Sequence, residues 1–144
     1  MSKWDQRMLG LARLVATWSK DPSTQVGAAI VDSKNRVVSL GFNGFPRAVH
    51  DNAAALHDRD EKLRRTIHAE ANALLFSGRP VEGCTIYVTH PPCARCAAKL
   101  IQAGIVRVVS MEPTAEFAER WAADLSSTQE MFRQAGIEWK GYRE

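Results

Sequence analysis

Apolar residues recur at helical intervals through the first eighteen positions. Trp4, Met8, Leu11, Val15 and Trp18 share one stripe, which predicts an amphipathic helix. Ser2 before it, with Asp5 three residues on, has the form of a capping box. Asp21-Pro22 ends it, because the residue before a proline is driven out of the α region. The pattern then changes period. Val26 to Val31 is a short apolar run rich in β-branched residues, and Arg36 to Phe42 repeats the signal after the turn residues Asp32-Ser33-Lys34-Asn35. Two strands joined as a hairpin are predicted. Gly41-Phe42-Asn43-Gly44-Phe45-Pro46 breaks regular structure.

From His50 to Arg65 the chain is polar and lacks a clean period, which predicts a surface loop with a short helix. A helix is expected from His68 to Phe76, stopped by Gly78 and Pro80. Cys84 to Thr89 predicts a third strand. Cys93 to Gln102 predicts a helix with Gly104 near its C-cap, and Arg107 to Met111 a fourth strand. Thr114 to Gln134 is helical in pattern, with an interruption near Leu125-Ser126 and a second capping box at Ser127 and Glu130. Gly136 stops that helix, and Ile137 to Lys140 predicts a last strand. The order αββαβαβαβ implies an α/β layered domain around a mixed sheet. A chain of 144 residues has room for one such domain, 1–144.

Composition narrows the class rather than the chemistry. No apolar run approaches the roughly 18 residues of a membrane span. The start, Met1 to Arg7, lacks the apolar stretch of an export signal, so a cytoplasmic protein with no membrane partner is expected. A net charge of +3 is a weak lean towards an anionic small substrate. Nucleic acid is a poorer fit as partner, since there is no long Lys/Arg run. The cysteine count is odd: Cys84, Cys93 and Cys96. That argues against a disulfide framework and makes a metal or a reactive thiol the better question.

Two short pieces carry the chemistry, His68-Ala69-Glu70 and Pro91-Pro92-Cys93-Ala94-Arg95-Cys96. Together they have the H-x-E and P-C-x-x-C form of the zinc-dependent nucleobase deaminases. Cys93 and Cys96 fall on one side of the first turn of a predicted helix, where the helix N-terminus favours thiolates. His68 precedes another helix, so two N-termini can point at one ion. Three protein ligands leave the fourth tetrahedral position for water, the arrangement of a catalytic zinc. Glu70 is close enough to manage that water's proton without binding the metal. The alternatives are a redox C-x-x-C pair and a structural zinc site with His90 as a fourth ligand. A redox pair would give His68 and Glu70 no role. Cys84 is expected in the core.

With these residues in view, the chain resembles the cytidine and deoxycytidylate deaminase superfamily, and within it the deoxycytidylate (dCMP) deaminases. The resemblance covers roughly Leu9 to Trp139. It rests on Ser19 to Ala28 (Ser-Lys-Asp-Pro-Ser-Thr-Gln-Val-Gly-Ala), Gly41 to Pro46, the two zinc pieces, and Ile101-Gln102-Ala103-Gly104-Ile105. It implies a three-layer αβα fold around a mixed sheet of about five strands, and one catalytic Zn²⁺ per chain held by His68, Cys93 and Cys96. It makes Glu70 the proton shuttle. Asn43 would meet the substrate sugar, the backbone at Ala69 the pyrimidine carbonyl, and the carbonyl of Pro91 the exocyclic amine. Gly41, Phe42 and Gly44 would belong to a regulatory site for dCTP and dTTP, although Phe42 stands where the family has tyrosine. The phosphate has several candidate partners (Lys20, Arg47, Arg64, Arg65, Arg95, Arg120), of which Arg95 is best placed. Trp121 suits either a base stack or a helix anchor. His50 and His57 have no cysteine beside them, so a second zinc is not expected. Relatives form homo-oligomers. The implied reaction is hydrolytic deamination of a cytosine nucleotide, dCMP to dUMP plus ammonia. The alternatives are a deaminase of another base (tRNA adenosine, cytosine or cytidine, guanine) and a non-catalytic zinc-binding nucleotide sensor.

Overall fold

Helix α1 spans Lys3–Ala16 and begins where the sequence places it: Ser2 Oγ accepts the Asp5 amide at 3.0 Å. Only half of the expected capping box forms. The Asp5 carboxylate turns inward instead, towards Arg107, Tyr87 and Tyr142. The helix also stops well before Asp21-Pro22. Ser19 is drawn away by a hydrogen bond from its Oγ to the Asn43 carbonyl, 2.9 Å. The buried face is Asp5, Met8, Leu9, Ala12, Val15 and Ala16. It is rotated from the expected stripe, and Trp4 and Trp18 stay exposed. The computed structural model describes residues 2–143; Met1 and Glu144, the ends of the expected 1–144 domain, lie outside the described residues.

Strands β1 (Gly27–Val31) and β2 (Val37–Phe42) form the expected antiparallel hairpin. Its turn is held by the Asp32 carboxylate, which accepts the amides of Lys34 and Arg36. Two short helices follow, α2 (Ala53–His57) and α3 (Arg59–Arg65), where one was expected. Asn52 and Asp58 cap them separately. Then come α4 (Ala69–Leu75), β3 (Thr85–Val88), α5 (Ala94–Ala103) and β4 (Arg107–Met111).

The C-terminal helical stretch differs from expectation. It divides at Trp121, between α6 (Ala115–Arg120) and α7 (Ala122–Ala135), and not at Leu125-Ser126. Ser127 and Glu130 lie inside α7 and form no capping box; Glu130 binds Arg133 and Gln134 one turn on. Strand β5 (Glu138–Tyr142) extends past Lys140 because its ladder with β4 continues to Met111 opposite Tyr142.

The sheet order is β2-β1-β3-β4-β5. β1 is antiparallel to β2 and β3, whereas β3-β4 and β4-β5 are parallel. Successive side chains on a strand face opposite sides, and the core divides accordingly. Ala28, Ile30, Ile86, Val88 and Val108 pack with α4, α5 and α7. Val31, Tyr87 and Val109 pack with Met8 and Leu9 of α1. The result is the expected three-layer αβα fold. Two glycines allow the helices to touch the sheet. A Cβ on Gly27 would lie 2.0 Å from the Ala12 carbonyl oxygen, and one on Gly41 would lie 2.4 Å from the Ala69 oxygen and the Ala73 nitrogen.

Candidate metal centre

His68 and Cys93 are the N-cap residues of α4 and α5, both with extended backbone. Each therefore stands at the electropositive end of a helix. Cys96 lies in the first turn of α5, and its amide donates to Cys93 Sγ at 3.4 Å. His68 Nδ1 is 3.5 Å from Cys93 Sγ and 3.3 Å from Cys96 Sγ, and all three ligand atoms lie within 4.8 Å of one another. A tetrahedral zinc with ordinary bond lengths would hold nitrogen and sulfur about 3.6 Å apart. The three side chains fit that ion with little adjustment.

The three side chains are close enough to share protons. Cys93 is pulled down to about 3, first by a hydrogen bond from the Cys96 thiol and then by His68, while Cys96 is held high. His68 is raised, chiefly by its hydrogen bond with Cys93. Glu70 is 4% exposed, in the first turn of α4, and burial pushes it up to about 7. It is not one of the three grouped ligands. A buried carboxyl poised near neutrality beside a metal site can both take and give a proton.

The other expected residues fall into two groups. Ala69, Pro91 and Asn43 are all buried, Ala69 directly after His68 and Pro91 two residues before Cys93. The Asn43 carboxamide accepts from the Val26 amide at 2.8 Å and donates to the Thr24 carbonyl at 2.9 Å. Gly44 pairs with Ile67 through two backbone hydrogen bonds, which ties this stretch to His68. Gly41 packs on α4, and Phe42 is exposed with its ring edge-on to Trp18. Arg95 is exposed. It lines a cavity of about 730 Å³ with Arg64, Lys99, Leu75 and the metal-site residues His68 and Cys96. His90 faces Phe117, with ring centroids 4.9 Å apart, and is not part of the metal group. Cys84 is buried in the core, as expected.

Sequence reasoning missed three side chains. Lys62 is buried against Asp21 (3.2 Å) and Ser23 (2.7 Å), bracing the loop that holds Asn43. Asp124 and Thr128, on α7, bind the backbone on either side of Cys93. Nothing local marks any of them. Each lies in a polar stretch far along the chain from its partner.

The model of the cytidine and deoxycytidylate deaminase zinc-binding region matches residues 2–112. The chain belongs to that family. It is 51% identical over 138 residues to an uncharacterized deaminase in the luxG 3' region of Aliivibrio fischeri, spanning 96% of this chain and 92% of that one. It is 34% identical to the human deoxycytidylate deaminase, over 97% of this chain and 80% of the relative. The crystal structure of the dCMP deaminase from cyanophage S-TIM5, in complex with dCMP and dUMP, superposes with a TM-score of 0.80 at 25% identity, covering 99% of each chain. A zinc-binding, hydrolytic deaminase fold thus accounts for the convergence of His68, Cys93 and Cys96.

Proposed function

We propose that the chain deaminates dCMP to dUMP and ammonia, with His68, Cys93 and Cys96 as zinc ligands and Glu70 as the proton shuttle. The observation that carries this is the placement of Glu70. It is a buried carboxyl on the helix whose cap is His68, raised to about 7 by burial. The relatives named as deoxycytidylate deaminases supply the substrate class.

Zinc held there would supply a Lewis acid that makes a water nucleophilic near neutral pH. The protein's own part is proton traffic and positioning. Glu70 takes a proton from the attacking water and delivers it to N3 of the pyrimidine. As the C4–N bond breaks and the C4 hydroxyl becomes the carbonyl, Glu70 takes the hydroxyl proton and passes it to the amine, which leaves as ammonia. The Pro91 carbonyl accepts from that amine, the Ala69 backbone meets the pyrimidine carbonyl, and the Asn43 side chain meets the sugar. Arg95 remains the candidate for the phosphate, and Gly41, Phe42 and Gly44 the candidate site for a dCTP or dTTP effector. We also propose a cytoplasmic homo-oligomer: Leu63 and Leu75 are exposed and line the cavity that His68 borders, and Phe76, next to Leu75 in the chain, is exposed as well. Among the described residues no helix is long and apolar enough to cross a membrane.

The test is ammonia release from a panel of cytosine, adenine and guanine nucleosides and nucleotides, with zinc content and light-scattering mass measured on the same sample. Turnover of dCMP above the rest is expected, at one zinc per chain and a mass above that of one chain. Turnover of another base with none of dCMP would overturn the substrate; a one-chain mass would overturn the oligomer.

A further inference from the structure

The stretch running into the metal site, His90-Pro91-Pro92-Cys93-Ala94, contains two consecutive prolines and so lacks two amide donors. It has little means of fixing itself. The structure supplies the missing contacts from one place, the elbow where α6 meets α7. The ring of Phe117 packs edge-on to His90, 4.9 Å between centroids, and Trp121 packs beside Phe117 at 6.2 Å. Thr128 Oγ1 donates to the Pro92 carbonyl at 3.1 Å. Asp124 Oδ2 accepts the Ala94 amide at 3.0 Å. Every second residue of the stretch, at 90, 92 and 94, is therefore held by the elbow.

We propose that this elbow locks the metal-ligating loop, with Asp124 and Thr128 as positioning residues that fix Cys93 and the neighbouring Pro91 carbonyl. Thr128 is fully buried in the middle of a helix, where a hydroxyl gains nothing from solvent and needs its one partner. Asp124 works as a cap lent by another helix. The Ala94 amide is one of the orphan donors at the start of α5. Cys93, although the N-cap, spends its sulfur on the Cys96 amide. A carboxylate at that helix end is also favoured by the helix dipole. The elbow lies beyond residues 2–112, outside the stretch matched by the family's zinc-binding region. α7 starts directly after the break at Trp121. Partners that orient metal ligands commonly govern metal affinity or activity by about 10–100-fold.

This inference rests on Cys93 being a zinc ligand, so its test is read on the metal and not only on turnover. The variants are Thr128→Val, which keeps the volume and removes the hydroxyl, and Asp124→Ala. Each is compared with the wild type for zinc release to a chromogenic chelator, for the thiolate-to-cobalt absorption of the Co²⁺-substituted protein, and for kcat and KM. The expected result is zinc release at least about 10-fold faster, with an altered cobalt spectrum and a lowered kcat. Thr128→Ser restores the wild-type rate. Asp124→Asn, which keeps an acceptor without the charge, falls in between. Folded Thr128→Val and Asp124→Ala proteins with wild-type release rates and spectra would overturn the proposal. If either fails to fold, Thr128→Ser and Asp124→Asn carry the test, and faster release from the serine variant or unchanged release from the asparagine variant would count against it. A wild type that binds zinc but leaves dCMP untouched would end the substrate reading while leaving the lock intact.

Discussion

The proposed shuttle role requires Glu70 to be uncharged at one moment of turnover and charged at another. A carboxyl in water, with a pKa near 4.3, would be poorly balanced for that at neutral pH. Burial corrects it: desolvation penalises the carboxylate and raises the group to about 7. The correction costs nothing in reach, because Glu70 sits on the same helical turn that presents His68. Replacing Glu70 with Gln keeps the shape and removes the proton transfer. The expected outcome is a kcat lower by about 10²–10⁴-fold, with zinc content and thermal melting unchanged. Metal analysis and steady-state rates on one preparation check this, and a variant that turned over normally would remove Glu70 from the mechanism. The Cys93–Cys96 half of the candidate metal group was legible in sequence because its geometry is local. An N-cap residue and its third neighbour share one turn, so C-x-x-C spacing already implies a chelate. Asp124 and Thr128 were not legible, since they act on backbone atoms brought near only by the packing of α7 on α5.

At the scale of elements, the signals that survived are those with one physical cause each. Gly104 and Gly136 end α5 and α7 in the left-handed region, at φ 91° and 71°, where a side chain is strained. The β1–β2 hairpin follows from its apolar runs and Asp32 turn. One signal that failed weighs side-chain size. The stripe through Trp4 and Trp18 looks like the buried face of α1, yet the sheet takes the face with Ala12 and Ala16 because backbone must approach backbone there. Gly27 makes that approach possible. Gly27→Ala would drive a Cβ into the Ala12 carbonyl oxygen at 2.0 Å and the Ala16 nitrogen at 2.5 Å, neither of which can rotate away. Overpacking of this kind costs about 1–3 kcal/mol or more. We expect a lowered denaturation midpoint for Gly27→Ala. Equal stability would mean that α1 slides on the sheet more freely than its packing implies.

At the scale of the molecule, one carboxylate joins four elements. Arg107 on β4 grips both oxygens of Asp5 at 2.8 Å, while the hydroxyls of Tyr87 on β3 and Tyr142 on β5 donate at 2.8 and 3.0 Å. Asp5 itself belongs to α1. The hydrogen bonds from Arg107 are the largest cause holding Asp5 well below the usual carboxylate range; the same contact raises Arg107, and burial is the chief cause of Tyr87 reaching about 12. The sign of the pH effect follows. Unfolded, Asp5 would take up its proton near pH 3.9; folded, it resists until far lower. The folded state therefore binds fewer protons in that window, and its extra stability is present above about pH 4 and lost as pH falls through the folded value. Asp5→Asn should flatten this part of the acid-unfolding curve. It should also destabilise at pH 7, because Arg107 is left half-buried beside a neutral partner. Breaking a buried pair costs about 3–5 kcal/mol, which for a chain of this size is roughly 10 °C in Tm. Thermal melts of both proteins between pH 7 and 2 measure it, and parallel curves would show that the network carries no linked proton. The network lies with α1 on one face of the sheet, and the metal centre is built from α4 and α5 on the other. Asp5→Asn should thus lower Tm while leaving kcat, measured at 25 °C on folded protein, at the wild-type value. That separation follows from the layered fold: α1 and its carboxylate hold the sheet together from behind, and the chemistry in front depends on the sheet being whole.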